Sequence, residues 1–479
     1  MFGIGSDKRN QVNDGQVVKP VIIPVTSPPV APVVTKEAVS AGSTQIAGVP
    51  VSISANPPVT VEKKPVIPAI PSGGQKLKVP ELKVRHERNV EGLLQEFVKE
   101  AVDKKSSDIH FEPRQNDMVI RYRVDGILRD FHAIDKETEK ALIFKLKIAS
   151  GLRTDEHFAP QDGRIEFVLG NVPIDSRLSI ISTTNGEKAV LRLLVKQGKA
   201  YTLEELGLEG DLLESVKRSY VKPQGMIIAA GPTGSGKTTT LYSILSIINS
   251  REKNITTIED PVEYEIEGVN HIHVNPKAGL TFANGLRSML RQDPDIIMVG
   301  EIRDNETARI AINAAMTGHL VLSSIHTNDS ITTIPRFMNM GIEDYLVAST
   351  VNVIVAQRLA RRLCEKCKKK ATVEGEQYQE MAKYRPDIAA LIKNGDIVYQ
   401  EVGCEACEGT GYKGRIGLYE VLELTKPVRN AIVEGDDSDK LFEIARKEGL
   451  VLLVEDGVKK VKAGTVSLSE IMRVTAIKE

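Results

Sequence analysis

The run Gly231, Pro232, Thr233, Gly234, Ser235, Gly236, Lys237, Thr238, Thr239 contains a complete G-x-x-x-x-G-K-[ST] pattern. Its glycines let backbone N–H groups converge on phosphate oxygens, and a helix that starts at the lysine adds the positive end of its dipole. Lys237 then contacts the β- and γ-phosphates and the Thr238 hydroxyl ligates Mg²⁺, so ATP and Mg²⁺ are the expected ligands. The flanks agree with this reading and not with a chance glycine turn: GMIIAA before the run is a strand pattern, and TTTLYSILSIINS after it is a helix pattern.

A second acidic element is DPDIIMVGEIRD, in which Asp295 to Val299 reads as a short buried strand ending at Gly300 and Glu301. Many P-loop ATPases place an Asp beside the catalytic Glu at this point; here Gly300 occupies the Asp position, which leaves one carboxylate. Glu301 is expected to orient and activate the attacking water, with Mg²⁺ held by Thr238, phosphate oxygens and water; the alternative is a surface Glu capping the next helix. A third strand, NITTIEDPVEYE, ends at Glu259 and Asp260 before Pro261. Ligands of open parallel sheets bind at the carboxyl ends of strands, so Glu259, Asp260 and Glu263 could reach the Mg²⁺ shell or the water. The sequence does not choose among them, and a solvated acidic turn is the competing reading. In TGHLVLSSIHTNDS, His319 and His326 stand at opposite ends of a strand, roughly 23 Å apart at about 3.3 Å per residue. His326, at the carboxyl end, is the candidate for sensing the γ-phosphate, and His319 is expected to be structural or at a subunit contact.

Cys364-x-x-Cys367 and Cys404-x-x-Cys407 use all four cysteines of the chain. Two C-x₂-C pairs make a closed tetrahedral site, normally structural Zn²⁺. The long intervening stretch is expected to enclose a small helical insert. Disulfides do not suit a reducing cytosol, and a redox C-x-x-C needs no twin. Arg121, Arg123, Arg164, Arg177 and Arg192 lie on strand patterns of the first half of the chain. They read either as solvated strand faces or as the cations that a triphosphate site requires.

These groups need elements to hold them. The chain has 479 residues, enough for about three domains at roughly 150 residues each. Lys plus Arg number 63 against 64 Asp plus Glu, aromatic residues are 4 %, and Trp is absent. That balance lacks the basic surface and the stacking platforms of nucleic-acid binders, so no nucleic-acid partner is expected. No apolar run reaches the roughly 18 residues of a spanning helix, and Met1 to Gly15 lacks a signal-peptide core; a cytoplasmic location is expected. Residues 1–80 hold 12 of the 23 prolines and one aromatic residue, Phe2. They are expected to be a disordered Pro/Val-rich linker, with ends roughly 50 Å apart as a coil, either inert or a tether with a short motif near Met1 to Gln11. Residues 81–197 read as an α+β domain: helices at VEGLLQEFVKEAVDKK and EKALIFKLKIASGL, alternating strands elsewhere, turns at Asp-Gly and Asn-Gly. Residues 203–362 alternate strand and helix, as an α/β ATPase core with a parallel sheet would. Residues 363–420 form the cysteine subdomain and 421–479 a helical end.

The set SDIHFEP, RYRVDG, PQDGRI, GPTGSGKTTTLY, TIEDPVEY, LRSMLRQDPDIIMVGEIRD, TGHLVLSSIHTNDS and the paired C-x-x-C resembles the type II secretion/type IV pilus assembly ATPase family, in the family's order, from about Val84 onward. The resemblance implies a homo-hexameric motor, peripheral on the cytoplasmic face of the inner membrane. Each subunit would join a PAS-like domain to a RecA-like P-loop ATPase domain. By the same resemblance TIEDPVEY is the family's Asp box, DPDIIMVGE an atypical Walker B and GHLVLSSIH its His box, while Arg164 and Arg177 occupy the positions of its arginine fingers. The motor would work through an inner-membrane platform protein and act indirectly on pilin or pseudopilin. The cysteines match assembly and secretion motors and not retraction motors, and a Pro/Val-rich linker stands where assembly motors usually carry a folded docking domain. The competing functions are a retraction or DNA-uptake motor of the same superfamily, a nucleic-acid-translocating RecA-like ATPase, and a non-hydrolysing zinc-stabilised module.

Overall fold

A computed structural model describes residues 82–170, 172–195 and 201–475. The stretch 1–80, including the possible motif near Met1 to Gln11, and the domain boundary at Gln197 lie outside the described residues. In the first half, β1 (Val84–Arg85), α1 (Val90–Asp103), β2 (Ser106–Pro113), β3 (Asp117–Val124), β4 (Ile127–Asp135), α2 (Lys136–Ala149), β5 (Gln161–Leu169), β6 (Val172–Thr183) and β7 (Gly186–Val195) form a seven-stranded sheet, order β1-β4-β3-β2-β7-β6-β5, with two helices on it. All neighbours are antiparallel except β1 and β4. Alternation sends Phe111, Ile120, Tyr122, Ile165, Leu178 and Leu191 into the core beneath the helices. The same alternation sends Arg164, Arg177 and Arg192 to the other face. They are directly opposed across β5, β6 and β7, in the registers Arg164–Arg177 and Arg177–Arg192. Like charges so aligned repel one another, so the row needs acceptors.

In the second half, α3 (Gly210–Tyr220) precedes β8 (Gly225–Ala230), α4 (Lys237–Ile248), β9 (Ile255–Glu259), β10 (Val269–His273), α5 (Phe282–Met289), β11 (Ile296–Val299), α6 (Asn305–Met316), β12 (Leu320–Ile325) and β13 (Val351–Leu363). Two short strands, β14 (Lys369–Thr372) and β15 (Ile397–Gln400), pair with each other, and β16 (Tyr412–Glu423) returns to the main sheet. That sheet has the order β10-β9-β11-β12-β8-β13-β16, parallel throughout except for β16 against β13. Strands β8, β9, β11 and β12 are buried at every residue. They are covered on one side by α3 and α4 and on the other by α5 and α6, as an α/β/α sandwich requires.

Two features depart from the sequence division. Strand β10, VNHIH, was not anticipated, because a half-exposed polar edge strand has no apolar pattern to betray it. Strand β16 straddles the boundary drawn at residue 420, and its pairing with β13 from Val353–Glu423 to Leu363–Tyr412 makes it part of the second, mostly parallel sheet. The cysteine-bearing stretch is therefore inserted between two adjacent strands of that sheet. No helix among the described residues is long and apolar enough to cross a membrane.

Candidate active site at the carboxyl ends of the parallel strands

The P-loop turns from β8 into α4 through Gly231, Gly234 and Gly236, at φ 149°, 77° and 90°. A side chain is doubly excluded at Gly231, where a Cβ would meet Ser235 Oγ at 2.5 Å and the Gln357 carbonyl at 2.7 Å. Gly236 is the helix N-cap and supplies no side-chain acceptor, which leaves the first N–H groups of α4 without a side-chain cap. Pro232, Thr233 and Gly234 are exposed, and Thr238 and Thr239 half-buried. The Lys237 ammonium donates to the carbonyls of Gly231 (2.8 Å) and Pro232 (3.1 Å). Burial pulls its pKa down to about 8, against the opposing pull of Glu301. Ser235 Oγ is buried without a partner. The orphaned hydroxyl, uncapped helix start and glycine cradle fit a phosphate chain with its Mg²⁺.

Glu301 follows β11 and stands beside this loop. One of its oxygens accepts from Arg303 Nη2 (2.5 Å) and the other faces His326 Nε2 at 3.2 Å. Burial pushes its carboxyl up, but Arg303 and His326 outweigh that and hold it below the usual range. Gly300 lies between the strand ends, its backbone N–H on the Ile258 carbonyl (2.8 Å); a Cβ there would sit 3.4 Å from both the Ile258 carbonyl and Glu259 Cα. Lys237, Glu301 and His326 are thus brought together. His319 is at the other end of β12, with Nδ1 2.9 Å from the Ala314 carbonyl.

The three Asp-box carboxylates part ways. Glu259 is 2 % exposed and takes Tyr242 Oη–H (2.5 Å), Thr257 Oγ1–H (2.5 Å) and His271 Nδ1 (2.9 Å). Because the other ring nitrogen of His271 accepts from the Ile266 N–H at 3.0 Å, Nδ1 carries the proton. Asp260 is exposed and faces Arg177 Nη2 at 3.5 Å. Glu263 is exposed at its surface, yet partial desolvation of the carboxyl and the nearby Glu259 push its pKa up, against Arg192 and Arg177. Arg164 reaches the edge strand, donating from Nη2 to His273 Nε2 at 2.7 Å. Arg192 is held by Asp108 (3.0 Å); Arg121 and Arg123 bond to Glu112, Asp130 and Asp108 on their own sheet, farther along it.

Sequence reasoning missed several residues that hold this geometry. Gln357 Nε2 donates to the Ser235 carbonyl (2.8 Å), and Arg358 donates to the Asn328 carbonyl (2.8 Å), tying β13 to the P-loop and to the loop after His326. Glu420, buried on β16, accepts from the Ser330 N–H (2.8 Å) and hydroxyl (2.6 Å) in that same loop. The available signal was a polar Gln inside the apolar strand pattern VNVIVAQRL.

The four cysteines come together away from this site. All four are free thiols, and their sulfurs lie within 4.8 Å of one another. Cys364–Cys404, Cys367–Cys407 and Cys404–Cys407 stand 3.9, 3.8 and 3.7 Å apart. A tetrahedral Zn²⁺ with 2.3 Å bonds needs about 3.8 Å between sulfurs. Burial opposes ionisation of Cys407, but the N–H groups of Cys404 and Gly411 outweigh it and hold the thiol at about 6.

Residues 83–473 match the family described as type II/IV secretion system protein. The chain belongs to that family. Among its curated members, the type IV pilus assembly ATPase PilB of Thermus thermophilus is 46 % identical over 386 residues, covering 80 % of this chain and 43 % of that protein. PilB of Acinetobacter baylyi is 43 % identical, covering 82 % and 68 %, and the type II secretion system protein E of Dickeya dadantii is 42 % identical, covering 80 % and 75 %. This family member therefore spans less than half of the Thermus protein and about two thirds to three quarters of the other two. Among solved structures, the pilus retraction motor PilT with bound ADP has a TM-score of 0.54 at 25 % identity, covering 82 % of this chain and 97 % of that one. The Legionella pneumophila ATPase DotB shares the fold, with a TM-score of 0.59 at 20 % identity and coverage of 82 % and 97 %.

Proposed function

We propose that the chain is the subunit of a homo-hexameric, ATP-hydrolysing motor that powers type IV pilus or type II secretion pseudopilus assembly from the cytoplasmic face of the inner membrane. The observation that carries this reading is the convergence of Lys237, Glu301 and His326 on one P-loop, in a family whose close relatives are named as pilus assembly ATPases and type II secretion proteins E. In this reading the backbone of Gly231 to Thr239 cradles the phosphates and Lys237 exchanges two carbonyls for phosphate oxygens. Thr238 would hold Mg²⁺, which supplies charge neutralisation between the β- and γ-phosphates. Glu301, kept ionised by Arg303 and His326, orients the attacking water and accepts its proton. Glu263 is the rival base, since a raised carboxyl pKa suits proton abstraction. The three donors on Glu259 support an anchoring role for it, and Asp260 serves as the partner of Arg177. Arg164 and Arg177 supply positive charge to the γ-phosphate. The four cysteines would hold Zn²⁺, which ties the β13–β16 insert together without an open position for chemistry.

The partners in this reading are an inner-membrane platform protein and, through it, a pilin or pseudopilin, with no nucleic acid. Likeness to PilT supports retraction as the second reading. Phosphate release should be measured alone, with DNA, and with the cytoplasmic domain of the platform protein. Stimulation by the platform domain and not by DNA is expected. Stimulation by DNA alone would make the chain a translocase.

A further inference from the structure

The arginine row of the first domain ends at two acceptors on the edge of the ATPase sheet. Arg164 and Arg177 are opposed in register on β5 and β6. Arg177 meets Asp260, just past the end of β9, and Arg164 meets His273, the last residue of β10, which pairs in register with Glu259. An arginine guanidinium has donors only, so a ring nitrogen 2.7 Å from Arg164 Nη2 must be an unprotonated acceptor. His273 is therefore neutral, with its proton on Nδ1.

We propose that His273 is a positioning residue for ATP hydrolysis: a neutral acceptor that aims Arg164 from the edge of the first domain towards the Asp box. The choice of imidazole has a physical reason. A carboxylate here would add its own negative charge to the bond, pair with the guanidinium as an ion pair and compete with phosphate for it. A neutral ring orients Arg164 and leaves its full positive charge available. The groups facing the ring fit this role: Arg164 and Arg177 from β5 and β6, and Glu259 and Asp260 from β9 and the turn after it. Burial first, then the two arginines, push the His273 pKa down against the two carboxylates, which favours the neutral ring at neutral pH. Protonation removes the acceptor lone pair and sets a third cation against two. The contact is thus present above the ordinary histidine pKa of about 6.5 and is lost as pH falls through the lowered value.

This inference rests on reading Arg164 as a phosphate-facing arginine, and the test separates the two. His273→Gln keeps a neutral acceptor that does not titrate, whereas His273→Lys fixes a positive charge in the same place. At pH 7.5, His273→Gln should keep kcat within about 2-fold of the parent, and His273→Lys should lose about 10-fold or more in kcat with KM for ATP changed by less than about 3-fold. Towards pH 6 the parent should lose kcat faster than His273→Gln. Adding His273→Lys to Arg164→Ala should cost nothing further, because the two act through one group. Independently of turnover, the His273 ring, observed by NMR in histidine-labelled protein and assigned with His273→Gln, should titrate at lower pH in the parent than in Arg164→Ala. A His273→Lys variant with parental kcat, a His273→Gln variant as impaired as His273→Lys, or identical acid limbs in parent and His273→Gln would overturn the proposal. An unchanged His273 titration in Arg164→Ala would overturn it through the contact itself. Normal turnover by Arg164→Ala, with the titration still shifted, would overturn it through the arginine reading. Should His273→Lys fail to fold, the His273→Gln pH profile and the NMR titration decide.

Discussion

The P-loop end of the parallel sheet and the cysteine insert are both gathered from turns at strand ends, and they dispose of their polar groups in opposite ways. The cysteine insert is closed: four sulfurs at tetrahedral spacing face one another, and the N–H groups of Cys404 and Gly411 are spent on Cys407. The P-loop end is left open. Lys237 rests on two carbonyls it can exchange, Ser235 Oγ has no partner, the start of α4 is uncapped, and Glu301 shares its oxygens between Arg303 and the half-exposed His326. A site with all its groups satisfied contributes to stability; one with exchangeable partners can bind, react and release. The contrast recurs within one strand end, where saturated Glu259 and loosely paired Asp260 are consecutive residues.

Four perturbations test this contrast. The largest effect is expected at Arg164→Ala, where loss of an arginine finger should cut turnover about 10³–10⁵-fold and change nucleotide affinity far less. Mixing it with inactive Glu301→Gln subunits should restore activity if the arginine serves a neighbouring subunit; absence of recovery in verified mixed oligomers would assign it to its own. Next, Glu301→Gln should lower turnover about 10²–10⁴-fold with ATP binding retained, by phosphate release and nucleotide titration. If Glu263→Gln collapses and Glu301→Gln does not, the water-activating base is Glu263.

On the closed side, native mass spectrometry should find about one Zn²⁺ per chain, absent from Cys364→Ser/Cys404→Ser. A structural zinc can bring roughly 10–16 kcal/mol of apparent binding free energy to local folding. The insert should therefore become protease-sensitive, while turnover falls less than stability does; metal-free protein of unchanged stability would contradict a closed zinc site. The smallest effect concerns pH. Lys237 is held at about 8 by burial and must be protonated to meet phosphate, so ATP affinity should weaken as pH rises through 8, by at most about tenfold per unit. Without ATP the sign reverses: between 8 and the unfolded value of about 10.4 the unfolded chain binds the extra proton, so stability should rise with pH in that window. Calorimetry across pH 7–10, with Lys237→Met as control, reads both.

How much of this was legible depends on sequence distance. The P-loop was readable because its geometry is local: glycines that permit positive φ, a lysine at the helix start, and a strand and a helix on either side. Glu301 was readable because a short apolar run ending in Gly-Glu fixes a strand end. The donors that saturate Glu259 were not, since Tyr242 lies 17 residues before it on α4 and His271 lies 12 residues after it on a strand with no apolar pattern. Gln357 and Glu420 act across 122 and 90 residues, on the P-loop and on the loop after His326.

The sequence by itself determined the family, the α/β character of the second half, the phosphate loop, the cysteine pairs and the separation of His319 from His326, because each follows from backbone preference or period within a few residues. The tertiary structure decided which carboxylate is anchored and which is open, that β16 closes the parallel sheet across the cysteine insert, and that His273 and Asp260 receive the arginines. Those outcomes depend on which elements share an edge. Burial and electrostatics act through space, so the donors around a carboxylate are counted only once distant strands have been brought side by side.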